Sequence, residues 1–258
     1  MREIVLNTQR SNISMERSPH AQALHDQGLA LYRAQRYEEA LTLFTSALKE
    51  SSSDTLVNYR IGSTLFRLDR YEEAEYYFEK ALESDPEHTN SLMNLGLLYD
   101  LTGRKDDGLR LLKSAVESET TNPQIHFNLG ALYGDRGQYD LAVRHFEKAL
   151  ELDPRSLEAS FNLGLAYSKM GLYKKAIDAF RNTLRLEARH IDALFALGTA
   201  YRQCQMTDRA VETYQRIIEL DRTAGRAYFW LGVLYDKKGM TDEARAMYRK
   251  VREYEKGQ

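Results

Sequence analysis

The sequence predicts an all-α chain in which one helix pair is repeated seven times. Three observations carry this. A glycine returns every 34 residues, at Gly28, Gly62, Gly96, Gly130, Gly164, Gly198 and Gly232. Within a repeat the apolar residues fall three and four apart, as Ile125, Leu129, Leu132 and Tyr133 do, which is one face of a helix. Prolines number only four in 258 residues, and none falls inside a predicted helix, while Ala, Leu, Glu, Arg and Lys are abundant.

The elements follow in order. Residues 1–20 precede the register and read as an arm: a disordered tail by default, otherwise an extended segment or one that docks into a neighbour, with Ile4, Val5 and Leu6 as its anchor. The array is expected over 21–258, in units starting at 21, 55, 89, 123, 157, 191 and 225. In the fourth unit a first helix covers Ile125 to Arg136 and a second runs from about Leu141 to Leu152. Gly137 separates them, as Gly103, Gly171 and Gly239 do elsewhere, where a helix end takes a left-handed residue. Pro86, Pro123 and Pro154 fall at unit boundaries. Asn122-Pro123 and Ser18-Pro19 each read as an N-cap followed by proline in the first turn.

Other columns keep the same register. Three residues after the glycine stand Leu31, Leu65, Tyr99, Tyr133, Tyr167, Tyr201 and Tyr235. Sixteen after it stand Phe44, Phe78, Leu112, Phe146, Phe180, Tyr214 and Tyr248. A helical glycine costs about 1 kcal/mol against alanine, so the repeated glycine implies close packing of another helix. The facing surface is expected from small columns such as Ala40, Ala74 and Ala142, and Ala47, Ala81 and Ala149. The last unit places Arg245 and Arg252 where earlier units are apolar, and the first carries Gln27 where later ones carry Ile or Leu. Both ends therefore read as polar caps on an array expected to be complete at seven units.

These columns resemble the tetratricopeptide repeat, whose pattern the fourth unit shows as Leu129, Gly130, Tyr133, Ala142, Phe146 and Pro154. The tryptophan column of that family is mostly absent; Leu24, Asn58, Leu92, His126, Ser160, Leu194 and Tyr228 stand there. The resemblance implies an α-solenoid, a right-handed superhelix of seven helix-turn-helix units with a concave groove lined by first helices.

Composition narrows the function. Charged residues make up 29% and the formal net charge is −2, the balance of a soluble globular chain with no basic stripe for nucleic acid. No stretch approaches the roughly 18 apolar residues of a membrane span. The lone Cys204 excludes an internal disulfide and a cysteine zinc site. The N-terminus lacks a signal-peptide core, so a cytoplasmic location is expected. The six histidines show no metal-ligand spacing on one helix face, and His145 and Glu147 read as surface residues. Asp106-Asp107 and Glu38-Glu39 read as helix starts, not as acid/base pairs. No catalytic residue, metal or cofactor is expected.

With the repeated glycine numbered 8, position 6 of each unit reads Asp26, Arg60, Asn94, Asn128, Asn162, Ala196 and Trp230. In the resembled family this face lines the groove, and Asn94, Asn128 and Asn162 look like an asparagine ladder. An amide offers two donors and an acceptor, enough to grip a peptide backbone whatever its side chains. Position 5 reads His25, Tyr59, Met93, Phe127, Phe161, Phe195 and Phe229. The four phenylalanines shape apolar pockets, or pack as half-buried structure, or both. Arg33, Arg60 and Arg67 lie early in this face, and Asp100, Asp135, Glu158 and Asp192 later; they select a ligand of matching polarity or are ordinary solvated charge. Position 9 carries no Asn and position 5 no Lys, which disfavours the chaperone-tail carboxylate clamp of the resembled family. The reading is a non-catalytic adaptor that takes an extended or helical segment of another protein. The alternatives are a scaffold that self-assembles through its arm or ends, and the docking subunit of a separately encoded enzyme.

Overall fold

The computed structural model describes residues 18–50 and 54–255, so the arm anchor at Ile4 to Leu6 lies outside them. Among the described residues there are fourteen helices and no strand. The chain forms two compact units, divided after Ser118. The first unit contains α1 (Pro19–Arg33), α2 (Tyr37–Glu50), α3 (Thr55–Arg67), α4 (Tyr71–Ser84), α5 (Thr89–Leu101) and α6 (Lys105–Ser118). The second contains α7 (Pro123–Asp135), α8 (Tyr139–Leu152), α9 (Leu157–Lys169), α10 (Tyr173–Leu186), α11 (Ile191–Gln203), α12 (Thr207–Leu220), α13 (Gly225–Lys237) and α14 (Thr241–Glu255). Within each, odd-numbered first helices pair with the even-numbered second helices that follow them.

Caps explain where first helices begin. The Ser18 hydroxyl accepts the Ala21 N–H at 3.0 Å, so α1 takes in Pro19 and His20, which the repeat register leaves outside. Asp54, Asn122 and Ser156 cap α3, α7 and α9 in the same way. Two caps were not legible as such. His88 Nδ1 accepts the Ser91 N–H at 3.3 Å, and His190 Nδ1 accepts the Ala193 N–H at 3.2 Å.

Second helices begin differently. The left-handed turn residue sends the next N–H back to the carbonyl of the residue three after the repeated glycine, as Arg36 does to Leu31 and Gln138 to Tyr133, each at 2.9 Å. The chain is then already aimed into the next helix, so α8 starts at Tyr139, two residues before the predicted Leu141, without a side-chain cap. Gly103, Gly137, Gly171 and Gly239 occupy that turn with φ between 72° and 86°, while Gln35, Asp69 and Gln205 adopt it with φ between 57° and 61°.

The repeated glycine makes room for a ring. A Cβ placed on Gly164 would lie 2.5 Å from the Phe180 ring, and on Gly130 2.7 Å from Phe146. The predicted alanine columns are buried, but the group that fixes the glycine is this aromatic column sixteen residues on. The third repeat departs from it. Leu112 replaces the ring, and a Cβ on Gly108 would meet the Gly96 carbonyl oxygen at 2.6 Å. With the smaller side chain between them, the α5 and α6 backbones close to direct contact.

Tyrosines latch successive repeats. Tyr99 donates its hydroxyl proton to Glu75 at 2.9 Å and to Glu79 at 3.2 Å, and Tyr167 donates to Glu147. Burial and the Glu147 carboxylate push the Tyr167 hydroxyl pKa up to about 12. Tyr201 instead accepts from Arg181 Nε at 3.0 Å.

Candidate functional site

The first-helix face is built from positions 5 and 6 of each repeat. Where position 5 is aromatic, its ring leans, tilted, on the core ring nineteen residues on, whereas the third repeat has Met93 and Leu112 there. Phe127 lies 5.9 Å from Phe146, Phe161 6.0 Å from Phe180, Phe195 6.2 Å from Tyr214, and Phe229 6.3 Å from Tyr248. One edge of each ring is thereby held in the core. Phe127, Phe161 and Phe195 are half-buried, and Phe229 is exposed at 43%.

The asparagines are not equivalent. Asn94, in the first unit, donates Nδ2–H to the Ser63 hydroxyl on α3 at 3.2 Å. Asn162, in the second unit, turns Nδ2 onto the Glu158 carbonyl of its own helix at 2.9 Å. Asn128, also in the second unit, accepts from Gln124 Nε2 at 3.0 Å, while its own Nδ2 is buried and has no hydrogen-bond partner in the structure. Asn128 is only 5% exposed and lies beneath the exposed Gln124 side chain. A buried amide donor without a partner is rare, and its desolvation costs about 1–3 kcal/mol.

In the first unit, the Arg60 guanidinium carbon sits 5.2 Å from the Tyr59 ring centre. Arg60 Nε and Asp100 Oδ1 are likewise buried without hydrogen-bond partners. In the second unit, cations meet the aromatic positions. The Arg202 guanidinium carbon stands 3.2 Å from the Trp230 ring centre, and that of Arg226 5.1 Å from Phe195. Phe229 and Trp230 meet edge to face at 5.1 Å. With Val251 and Tyr254 of α14 and Arg226, they line an open cavity of about 590 Å³. Arg245 and Arg252 of the same helix are exposed.

The sequence reading missed this cavity because its walls come from opposite ends of the last helix pair. It also missed the arginine stacking, although positions 2 and 12 of the register mark Arg226 and Arg202. His145 corrects the surface assignment. It is half-buried, its Nδ1 is 3.2 Å from His126 Nδ1, and it stacks on Tyr133 at 5.4 Å. The absent tryptophan column leaves room for this pair. Cys204 closes α11 as its C-cap and is half-buried. Among the described residues no group of three or more His, Cys, Asp or Glu is placed to hold a metal ion, and no helix is long and apolar enough to cross a membrane.

No curated protein matches the chain by sequence. Among solved structures, MamA is similar with 26% identity and a TM-score of 0.61, over 67% of this chain and 94% of that one. YrrB, described as a TPR protein with an unusual peptide-binding site, shares 22% identity at a TM-score of 0.64, over 76% of this chain and 97% of its own. The C-terminal part of a TPR repeat-containing protein from Cytophaga hutchinsonii reaches a TM-score of 0.74 at 18% identity, over 88% and 93% of the two chains. Family models, each described as the tetratricopeptide repeat, match residues 10–55, 54–118, 123–156, 145–178, 193–228 and 213–246. With the fixed register and the paired helices, these matches show that the chain belongs to the tetratricopeptide repeat family.

Proposed function

We propose that the protein is a non-catalytic adaptor whose first-helix face holds a peptide segment of another protein. Tetratricopeptide arrays are scaffolds for protein–protein interaction, and binding is the use to which stacked repeats put their extended surfaces. The observation that carries the reading is the Asn128 amide, a buried donor with no partner, set beside the half-buried Phe127 ring. A peptide carbonyl that displaced Gln124 would satisfy it. Asn162 has a second N–H to offer, and Phe161, Phe195 and Phe229 supply apolar contact to side chains along the same face. In the first unit, Arg60 and Asn94 are the corresponding groups. YrrB, with the same fold, is described as having a peptide-binding site, which supports a peptide as the ligand class.

The test uses random peptides displayed on phage, from a library lacking Asp and Glu, selected on the intact chain. The best binder is then titrated against the wild type and the Asn128→Ala/Asn162→Ala variant. The expected result is roughly tenfold weaker binding for the variant, about 1.4 kcal/mol, with no loss of thermal stability. Equal affinities would remove the amides from the site.

A further inference from the structure

A second groove lies on the other side of the helix pairs, between α10 and α12 and floored by α11. Its volume is about 450 Å³. Four arginines line it, Arg181, Arg185, Arg209 and Arg216, against one carboxylate, Glu212. Among the described residues none of the four arginines forms an ion pair. Neutral groups hold them instead. Arg181 Nε donates to the Tyr201 hydroxyl at 3.0 Å, Arg185 to Asn182 Oδ1 at 2.8 Å, and Arg216 to the Ala188 carbonyl at 2.6 Å. The guanidinium carbons of Arg181 and Arg209 lie 5.8 and 5.9 Å from the centre of the same Tyr201 ring. Like charges are thus gathered around one concavity with donors to spare.

The preceding repeat supplies an internal comparison. Stacking generates the same groove there, about 410 Å³, between α8 and α10 over α9. Three of the four arginines and the carboxylate have lining counterparts 34 residues earlier: Glu147 for Arg181, Lys175 for Arg209, Asn182 for Arg216 and Asp178 for Glu212; Arg185 corresponds to Glu151, which does not line the earlier groove. The earlier groove has one lysine against two carboxylates; the later has four arginines against one. The shape belongs to the fold, but the charge belongs to this repeat.

From this contrast we infer that the groove over α11 is a docking site for an acidic segment of a partner polypeptide. Arginine pairs with carboxylates through two parallel N–H···O bonds, and fixed guanidiniums lose little freedom on doing so. Leu194 and Leu197 floor the groove and are themselves buried, so recognition falls to the arginines along its walls. A nucleic acid or an anionic membrane fits less well. Asp178, Glu187, Asp208 and Glu219 are exposed on α10, its C-terminal end and α12, so the positive field is confined to the groove and forms no stripe. This site is independent of the first-helix face, and its test leaves that face untouched.

The test is fluorescence anisotropy on the full chain, with a labelled peptide of alternating glutamate and leucine and its glutamine counterpart. The acidic peptide should bind at low salt and weaken as salt rises, and the glutamine peptide should not bind. Arg181→Gln/Arg209→Gln/Arg216→Gln should weaken binding roughly tenfold or more. Arg144→Gln/Arg155→Gln/Arg189→Gln, which removes the same charge from exposed sites outside the groove, should change it by less than about twofold. Arg209→Glu, whose side chain bonds no backbone group, repeats the loss without touching the Arg216 anchor. Equal losses in both triple variants, or no binding by the acidic peptide, would overturn the inference. So would arginine-dependent binding of oligothymidylate or phosphatidylserine vesicles in place of the peptide. Self-association abolished by the groove variant alone would transfer the site to a second copy and overturn the partner assignment.

Discussion

Replacing Asn128 by alanine should stabilise the protein. In a helix interior, alanine is favoured over asparagine by up to about 0.7 kcal/mol. Removing a buried donor without a partner relieves a further penalty of about 1–3 kcal/mol. Against this stand the bond accepted from Gln124, worth about 0.5–1.5 kcal/mol, and a small loss of packing. Gln124 is exposed, so water replaces its lost partner. The balance is a gain of about 1 kcal/mol, or about 2–4 °C in melting temperature for a chain of this size. The assay is thermal and urea unfolding followed by far-ultraviolet circular dichroism, with peptide affinity measured on the same samples. A residue kept for binding should give a more stable, weaker-binding variant. A loss of 1 kcal/mol or more would refute the reasoning, because it would mean that the amide is bound into the structure and its donor is satisfied there.

Three further predictions follow from the packing and the caps. Gly164→Ala should destabilise by about 1–2 kcal/mol, since overpacking against Phe180 outweighs the helix propensity gained; in the Phe180→Leu background, where the ring is gone, part of that penalty should vanish in urea melts. Burial holds the His88 imidazole below its ordinary pKa, with Arg60 adding to the effect, so its neutral form is the one that suits the fold. That stability is present above about pH 6.5 and is lost as pH falls through the lowered value; melting points between pH 7.5 and 5 should fall less steeply in His88→Asn, which keeps a capping side chain that does not titrate. Arg202→Ala should alter Trp230 emission, because it removes the cation over the only tryptophan, and the circular dichroism should not change.

The fold was legible because each structural requirement repeats. One buried glycine against one ring is a weak signal, but seven glycines at a fixed spacing, six of them against a ring, locate every helix pair. The starts of second helices were less legible, since a left-handed turn launches them and no side chain marks the spot, as at Gln138 and Tyr139. The face that carries the candidate site followed from the register. Its partners did not. Asn94 reaches a serine one repeat away, and Asn162 folds back on its own helix; both outcomes are set by side-chain torsions. The histidine pair and the arginine groove needed contacts between helices that no single-helix periodicity reports.

Contact between the first-helix rings and the ligand can be tested directly. A photoreactive benzoylphenylalanine at position 195, on the first-helix face, and the same residue at position 178, in the groove between α8 and α10, decide it when each is irradiated with the selected neutral peptide. A ligand held by the first-helix rings gives a covalent adduct from position 195 and none from position 178; an adduct from position 178 alone would exclude that contact.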